Sequence, residues 1–159
     1  MPQTRNDSLT ITLPSDREIV GSRTFDAPRG LVFEAHTKPE HLVHWWGLES
    51  LSVCEVDLRP GGAWRFVERN AKGEEFGFRG EYREISPPER LVYTFEYDGM
   101  PGQGSIETLT FEERDGRTIV SSHTLFDSRE DRDAMLESGM EEGANVTYNR
   151  LDAYLEKLR

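Results

Sequence analysis

The chain has 159 residues, with 30 Asp and Glu against 19 Lys and Arg, a net charge of -11 and a single cysteine, Cys54. The acidic surplus argues against nucleic-acid binding and against anionic membrane surfaces, both of which need clustered Lys and Arg, and a lone cysteine excludes an intrachain disulfide. No apolar run reaches transmembrane length and the first 20 residues lack a basic start followed by an apolar stretch, so a single-domain, soluble, cytoplasmic protein is expected.

Residues 1–16 read as a partly ordered N-terminal extension before one domain over 17–159. The extension contains a short alternating piece, Leu9-Thr-Ile11-Thr-Leu13, compatible with an edge strand or with loose chain. Arg17 to Asp26 alternates and predicts a strand. Asp26-Ala-Pro28 reads as a helix start, Asp capping and Pro in the first turn, with Leu31, Val32, Ala35 and His36 continuing a short helix. Thr37-Lys-Pro39-Glu40 has capping-box spacing and predicts a second short helix carrying Leu42, Val43, Trp45 and Trp46, ended by Gly47.

About six further strands follow. Ser52 to Leu58 and Ala63 to Arg69 flank a turn at Arg59-Pro-Gly-Gly62, and Asn70 to Gly73 turns the chain again. Phe76, Phe78, Gly80 and Tyr82 share one strand face; Leu91, Tyr93, Phe95 and Tyr97 share another. Ile106 to Glu112 and Thr118 to Leu125 flank Arg114-Asp115-Gly116, a hairpin turn. Asp127 to Glu130 leads a short helix through Leu136. From Gly139 onward Met140, Ala144, Thr147, Leu151, Tyr154 and Leu158 recur at steps of three and four, one stripe of a long amphipathic helix. Hairpins with helices at one end make an α+β layout. A sheet curved around that stripe leaves room for a cavity.

Trp64, Phe66, Phe78, Tyr82, Tyr93 and Phe95 fall on single faces of neighbouring strands, opposite Met140, Ala144, Thr147 and Leu151 of the helix. Trp45 and Trp46 are adjacent and point different ways, one packing inside and one edging a pocket mouth. Apolar walls with a few placed polar groups are what a ligand pocket requires, and Tyr82, Tyr93, Thr147 and His123 supply them. Thr118 to Leu125 does not alternate decisively, so the face of His123 stays open. His41 and His44 are three apart, but no third ligand is in view and no metal is expected. Neither a nucleophile elbow nor a phosphate-binding loop occurs.

Several stretches, in order, resemble a known family: Arg23-Thr-Phe-Asp-Ala-Pro28, Thr37 and Pro39 running to Trp45-Trp46-Gly47, Asp57-Leu-Arg-Pro-Gly61-Gly62-Ala-Trp64, Gly80-Glu-Tyr82-Arg-Glu-Ile85, Glu89-Arg-Leu91-Val-Tyr93-Thr94 and Gly139-Met-Glu-Glu-Gly143. Over residues 17–158 the chain is similar to the family named for the C-terminal domain of the activator of Hsp90 ATPase, within the START-like, or Bet v 1-like (SRPBCC), superfamily. The resemblance implies a helix-grip fold: an antiparallel sheet curved around the long C-terminal helix, two short helices after the first strand, and an internal pocket. Many relatives carry Trp shortly after the glycine matching Gly143; here Ala144-Asn145 follows, which enlarges or opens that end.

Three functions follow as expectations. The first is a stress-related protein that binds a small hydrophobic or aromatic molecule and needs no cofactor. Its pocket would comprise Trp45, Trp64, Phe66, Phe78, Tyr82, Tyr93, Phe95, His123, Met140, Ala144, Thr147 and Leu151. The second is a polyketide cyclase/dehydratase-like enzyme drawing on His123, Tyr82, Tyr93 and Arg79 for acid–base work. The third is a co-chaperone-like module with a chaperone partner. Monomer and weak homodimer are both compatible with the sequence.

Overall fold

The computed structural model describes residues 9–158. Among them, eight strands form one antiparallel sheet: β1 (Thr10–Thr12), β2 (Glu18–Phe25), β3 (Ser50–Val56), β4 (Ala63–Arg69), β5 (Glu75–Ser86), β6 (Arg90–Tyr97), β7 (Ser105–Arg114) and β8 (Arg117–Phe126). Helices α1 (Arg29–Thr37) and α2 (Pro39–Leu42) follow β2, and α3 (Arg129–Glu137) and α4 (Met140–Leu158) close the fold. Strand order is β1-β2-β8-β7-β6-β5-β4-β3, so the early β2 lies beside the last strand. The open sheet curves around α4, giving the α+β helix-grip arrangement. Among the described residues, no helix is long and apolar enough to cross a membrane.

Local chemistry explains most of the joints. Asp115 (φ 54°) and Gly116 (φ 78°) both occupy the left-handed region, as a two-residue hairpin between β7 and β8 demands. Ser128 caps α3, its hydroxyl accepting from the Asp131 N–H at 3.1 Å. Gly139 (φ 85°) breaks α3 from α4. The piece around Ile11 pairs with β2 as an edge strand.

Three expectations need correction. Asp26 does not cap α1. Pro28 occupies the N-cap in extended conformation, and Glu113 of β7 instead accepts from the Arg29 N–H at 2.8 Å. Thr37 does not open a capping box, because its hydroxyl donates back to the Phe33 carbonyl at 3.1 Å; Lys38 is the N-cap of α2. That helix is one turn long, and 43–46 form irregular turns rather than a continuation.

The core occupies one half of the space between sheet and helix. Phe25, Val32, Phe111, Val120, Leu151 and Leu155 are buried there, each worth roughly 1.5–3 kcal/mol of transfer free energy. Thr118 donates to the Ala27 carbonyl at 2.7 Å, tying β8 to the start of α1. Arg23, buried on β2, stands 3.9 Å from Asp152 of α4 and 5.3 Å from the centre of the Phe25 ring.

Candidate functional site

Antiparallel register turns alternating strands into rows across the sheet. Tyr82 pairs with Tyr93, Tyr93 with Glu107, Glu107 with Thr124, and Thr124 with Ile19, one residue from each of β5, β6, β7, β8 and β2. A parallel row runs Leu91, Leu109, Ser122, Gly21 and Ile11. A third holds Phe95, Ser105 and Phe126. Facing them from α4 stand Met140, Ala144, Thr147 and Tyr148, and between the two surfaces lies a cavity of about 460 Å3.

Ten of the twelve residues singled out in the sequence line this cavity: Trp45, Trp64, Phe66, Phe78, Tyr82, Tyr93, Phe95, Met140, Ala144 and Thr147. Two do not. His123 has the opposite parity to Ser122 and Thr124, so it faces the outer side of the sheet and pairs with Glu18. Leu151 lies fully buried in the core, one turn beyond the cavity. Arg79, considered for acid–base work, also faces outward, donating to Glu96 at 2.7 Å. Both tryptophans touch the cavity. Trp45 is buried and donates to the Ala35 carbonyl at 2.9 Å, while half-buried Trp46 packs edge-on against Phe66 and Phe78. His41 and His44 are occupied with Tyr154, His41 through a 2.6 Å hydrogen bond and His44 by stacking.

The polar groups of the cavity are mostly ones the sequence reading passed over. Glu107 accepts from the Thr124 hydroxyl at 2.6 Å. Burial pushes its carboxyl up to about 7, opposed by the Thr124 bond and by His123 behind it. Burial raises the Tyr93 hydroxyl well above the usual phenol range, and Glu107, Tyr148 and Tyr82 push it further. Tyr148 is raised the same way by burial and by Glu107, with Arg23 opposing.

His36, also on the wall, sits among Trp45, Phe111 and Tyr148. Its Nδ1 lies 2.8 Å from the Val32 carbonyl, which can only accept, so Nδ1 carries the proton. Nε2 is then a bare acceptor, buried without a partner among the described residues. Burial drives this imidazole down to about 4, against the Val32 bond.

The rim is held by charge and by shape. Glu68 accepts from the Leu48 N–H at 2.7 Å and is raised by burial. Gly47 sits at φ 84°, where a Cβ would come within 1.9 Å of the Glu68 carboxylate. Arg150 of α4 donates to the Gly47 carbonyl at 2.6 Å. Asn145 bridges the N-terminal edge strand and α4: it accepts from the Leu9 N–H at 2.9 Å and donates to the Glu141 carbonyl at 3.0 Å. Glu68→Ala is expected to lose about 2 kcal/mol of stability and to speed amide exchange at Leu48, since a part-buried N–H loses its carboxylate acceptor. Unchanged exchange at Leu48 would contradict that role.

Comparison with known proteins agrees with this architecture. The family model described as Activator of Hsp90 ATPase homolog 1-like protein matches residues 26–156. A solved Rhodobacter sphaeroides protein, 25% identical, superposes with a TM-score of 0.89 over 96% of this chain and 100% of its own. A Staphylococcus epidermidis protein is 29% identical with a TM-score of 0.79, covering 94% of this chain and 95% of that one. DynU16, a protein of the dynemicin biosynthetic locus, shares the fold at 22% identity and a TM-score of 0.70, over 90% of this chain and 48% of its own. No curated protein matches the sequence.

Proposed function

Because this chain belongs to the Activator of Hsp90 ATPase homolog 1-like family, in which the helix-grip sheet encloses space against the last helix, we propose that it binds a small hydrophobic or aromatic molecule in that space. The observation that carries the reading is the cavity itself: about 460 Å3, walled by aromatic and aliphatic side chains and furnished with a handful of polar groups. A ligand hiding ~200 Å2 of apolar surface gains about 5 kcal/mol from burial, before association costs are set against it. Micromolar affinity corresponds to about 8 kcal/mol, so polar contacts must supply the remainder and offset the association cost as well. A cytoplasmic, stress-related role in a monomer or weak homodimer goes with this reading.

The test is an amide NMR titration with flavonoids, polyketide aromatics, fatty acids and sterols. Saturable shifts should gather on the inner faces of β5 to β8 and on 140–148 of α4. Thr147→Trp, which fills the cavity from the helix side, should weaken the same ligand at least tenfold. If no member of the panel moves those amides, the reading fails.

One observation favours a second reading, a polyketide cyclase/dehydratase-like enzyme. Glu107, poised near neutrality at about 7 between Tyr93 and Tyr148, has the acidity a general acid–base needs. Product formation from an aromatic polyketide, lost in Glu107→Gln, would favour it over simple binding. An Hsp90-type partner, which the family description names, is checked by a pull-down probed for Hsp90.

A further inference from the structure

Taking the cavity as a ligand site, we infer that its ligand carries a basic nitrogen: the site suits an apolar amine bound as its ammonium, with Glu107 as the counter-charge. The lining, among the described residues, holds two carboxylates, Glu107 and Glu68, and neither Lys nor Arg. Two guanidiniums lie near the wall without lining it: Arg23, on the inner face of β2, stands 3.9 Å from Asp152 of α4, and Arg150 donates to the Gly47 carbonyl at 2.6 Å. A fatty-acid carboxylate entering here would face like charge with no cation to meet it.

The geometry around Glu107 is specific. Thr124 holds one carboxylate oxygen at 2.6 Å, fixing the group, while the other oxygen has no protein partner among the described residues. Tyr93 stands beside it in the same cross-sheet row, Tyr82 one strand further along, and Tyr148 and Glu107 act on each other from α4 and β7. Tyrosine faces attract cations through the ring quadrupole, and do so most strongly where water is excluded. His36 adds a bare acceptor at Nε2 on the same wall. Glu107 and His36 Nε2 thus present acceptor atoms on the wall, and an ammonium offers up to three N–H donors. The net charge of -11 also draws cations toward the protein.

Binding should release protons. Glu107 is flanked on the inner face by Tyr93 on β6, Thr124 on β8 and Tyr148 on α4, with Tyr82 of β5 one strand further along the row; His123 of β8 lies behind it on the outer face, paired to Glu18 of β2. Empty, the Glu107 carboxyl is largely protonated below about 7; an ammonium beside it favours the carboxylate and expels that proton.

The experiment compares three probes of one shape on the full chain: 4-phenylbutylamine, 4-phenylbutan-1-ol and 4-phenylbutanoate. Affinities are read by calorimetry and by amide shifts at pH 7.5. Calorimetry at pH 6.5 in two buffers of different ionisation enthalpy counts protons. The amine is expected to bind at least tenfold tighter than the alcohol, with the carboxylate weakest, and to release up to one proton at pH 6.5. Glu107→Gln should erase the preference, bringing amine affinity down to that of the alcohol measured in the same variant. An alcohol that binds as tightly as the amine in the unaltered protein overturns the inference and leaves the cavity reading standing. So does an amine preference that survives Glu107→Gln. If none of the three probes shifts an amide of the cavity wall at millimolar concentration, both readings fall together.

Discussion

Replacing Glu107 with glutamine should stabilise the protein at pH 8 by about 3 kcal/mol and leave it nearly unchanged at pH 4. The carboxyl rises from an ordinary 4.5 to about 7 because the fold strips it of water. A raised pKa means the folded state binds the proton more tightly, so its stabilising contribution is complete below the unfolded value. It is lost as pH climbs through the folded one. Two and a half units at about 1.36 kcal/mol each set the ceiling near 3 kcal/mol. Glutamine is neutral at every pH and can still accept from Thr124, so its curve lacks that decline. His36 works the other way: its proton affinity is depressed from 6.5 to about 4, so its contribution is present above 6.5 and lost as pH falls toward 4. It is common to both proteins and cancels in their difference. Urea denaturation of the pair from pH 4 to pH 8 is the measurement. A difference that stays flat across that window would show that Glu107 ionises as freely in the fold as in water.

Gly80→Ala should cost about 3 kcal/mol or more and degrade the cavity wall with it. A Cβ at Gly80 would stand 1.8 Å from the Thr94 carbonyl oxygen and 2.4 Å from Trp64 Nε1. The obstacle is backbone on one side and a buried indole on the other, so neither yields cheaply. Trp64 pairs with Gly80 across β4 and β5 and donates to the Thr94 carbonyl at 3.2 Å. The glycine is the gap through which that indole reaches β6. Its loss should lower the denaturation midpoint and shift tryptophan emission to the red as Trp64 is displaced. A stability loss under about 1 kcal/mol would mean the strands part there more easily than their packing implies.

The sequence announced its architecture where side-chain period and turn chemistry agreed. Asp115-Gly116 marked its hairpin because only a few residues accept two positive φ values in succession. The stripe beginning at Met140 marked α4 because its apolar face had to be buried. The same stripe misplaced Leu151, since spacing says which face turns inward but not how far along that face the packing closes. His123 was undecided for a different reason. Val120, Ser122, Thr124 and Phe126 do alternate inward, yet two of the four are polar, and a polar lining hides the phase of a strand. Glu107 was missed although Glu107, Leu109 and Phe111 share one parity, because an acid on a core-facing face contradicts the rule used to find that face. His36 was passed over because nothing in the residues near it shows that Nε2 lacks a partner.

The rows across the sheet bear on how such proteins diverge. Within one row each cavity-facing position comes from a different strand, and the ladder bonds holding those strands run through main-chain atoms alone. Exchanging Tyr82, Glu107 or Thr124 therefore rewrites what the interior recognises without asking the scaffold to refold. Selection can explore chemistry one residue at a time while register and curvature persist. A TM-score of 0.89 at 25% identity fits such an arrangement: one frame is shared while most side chains differ.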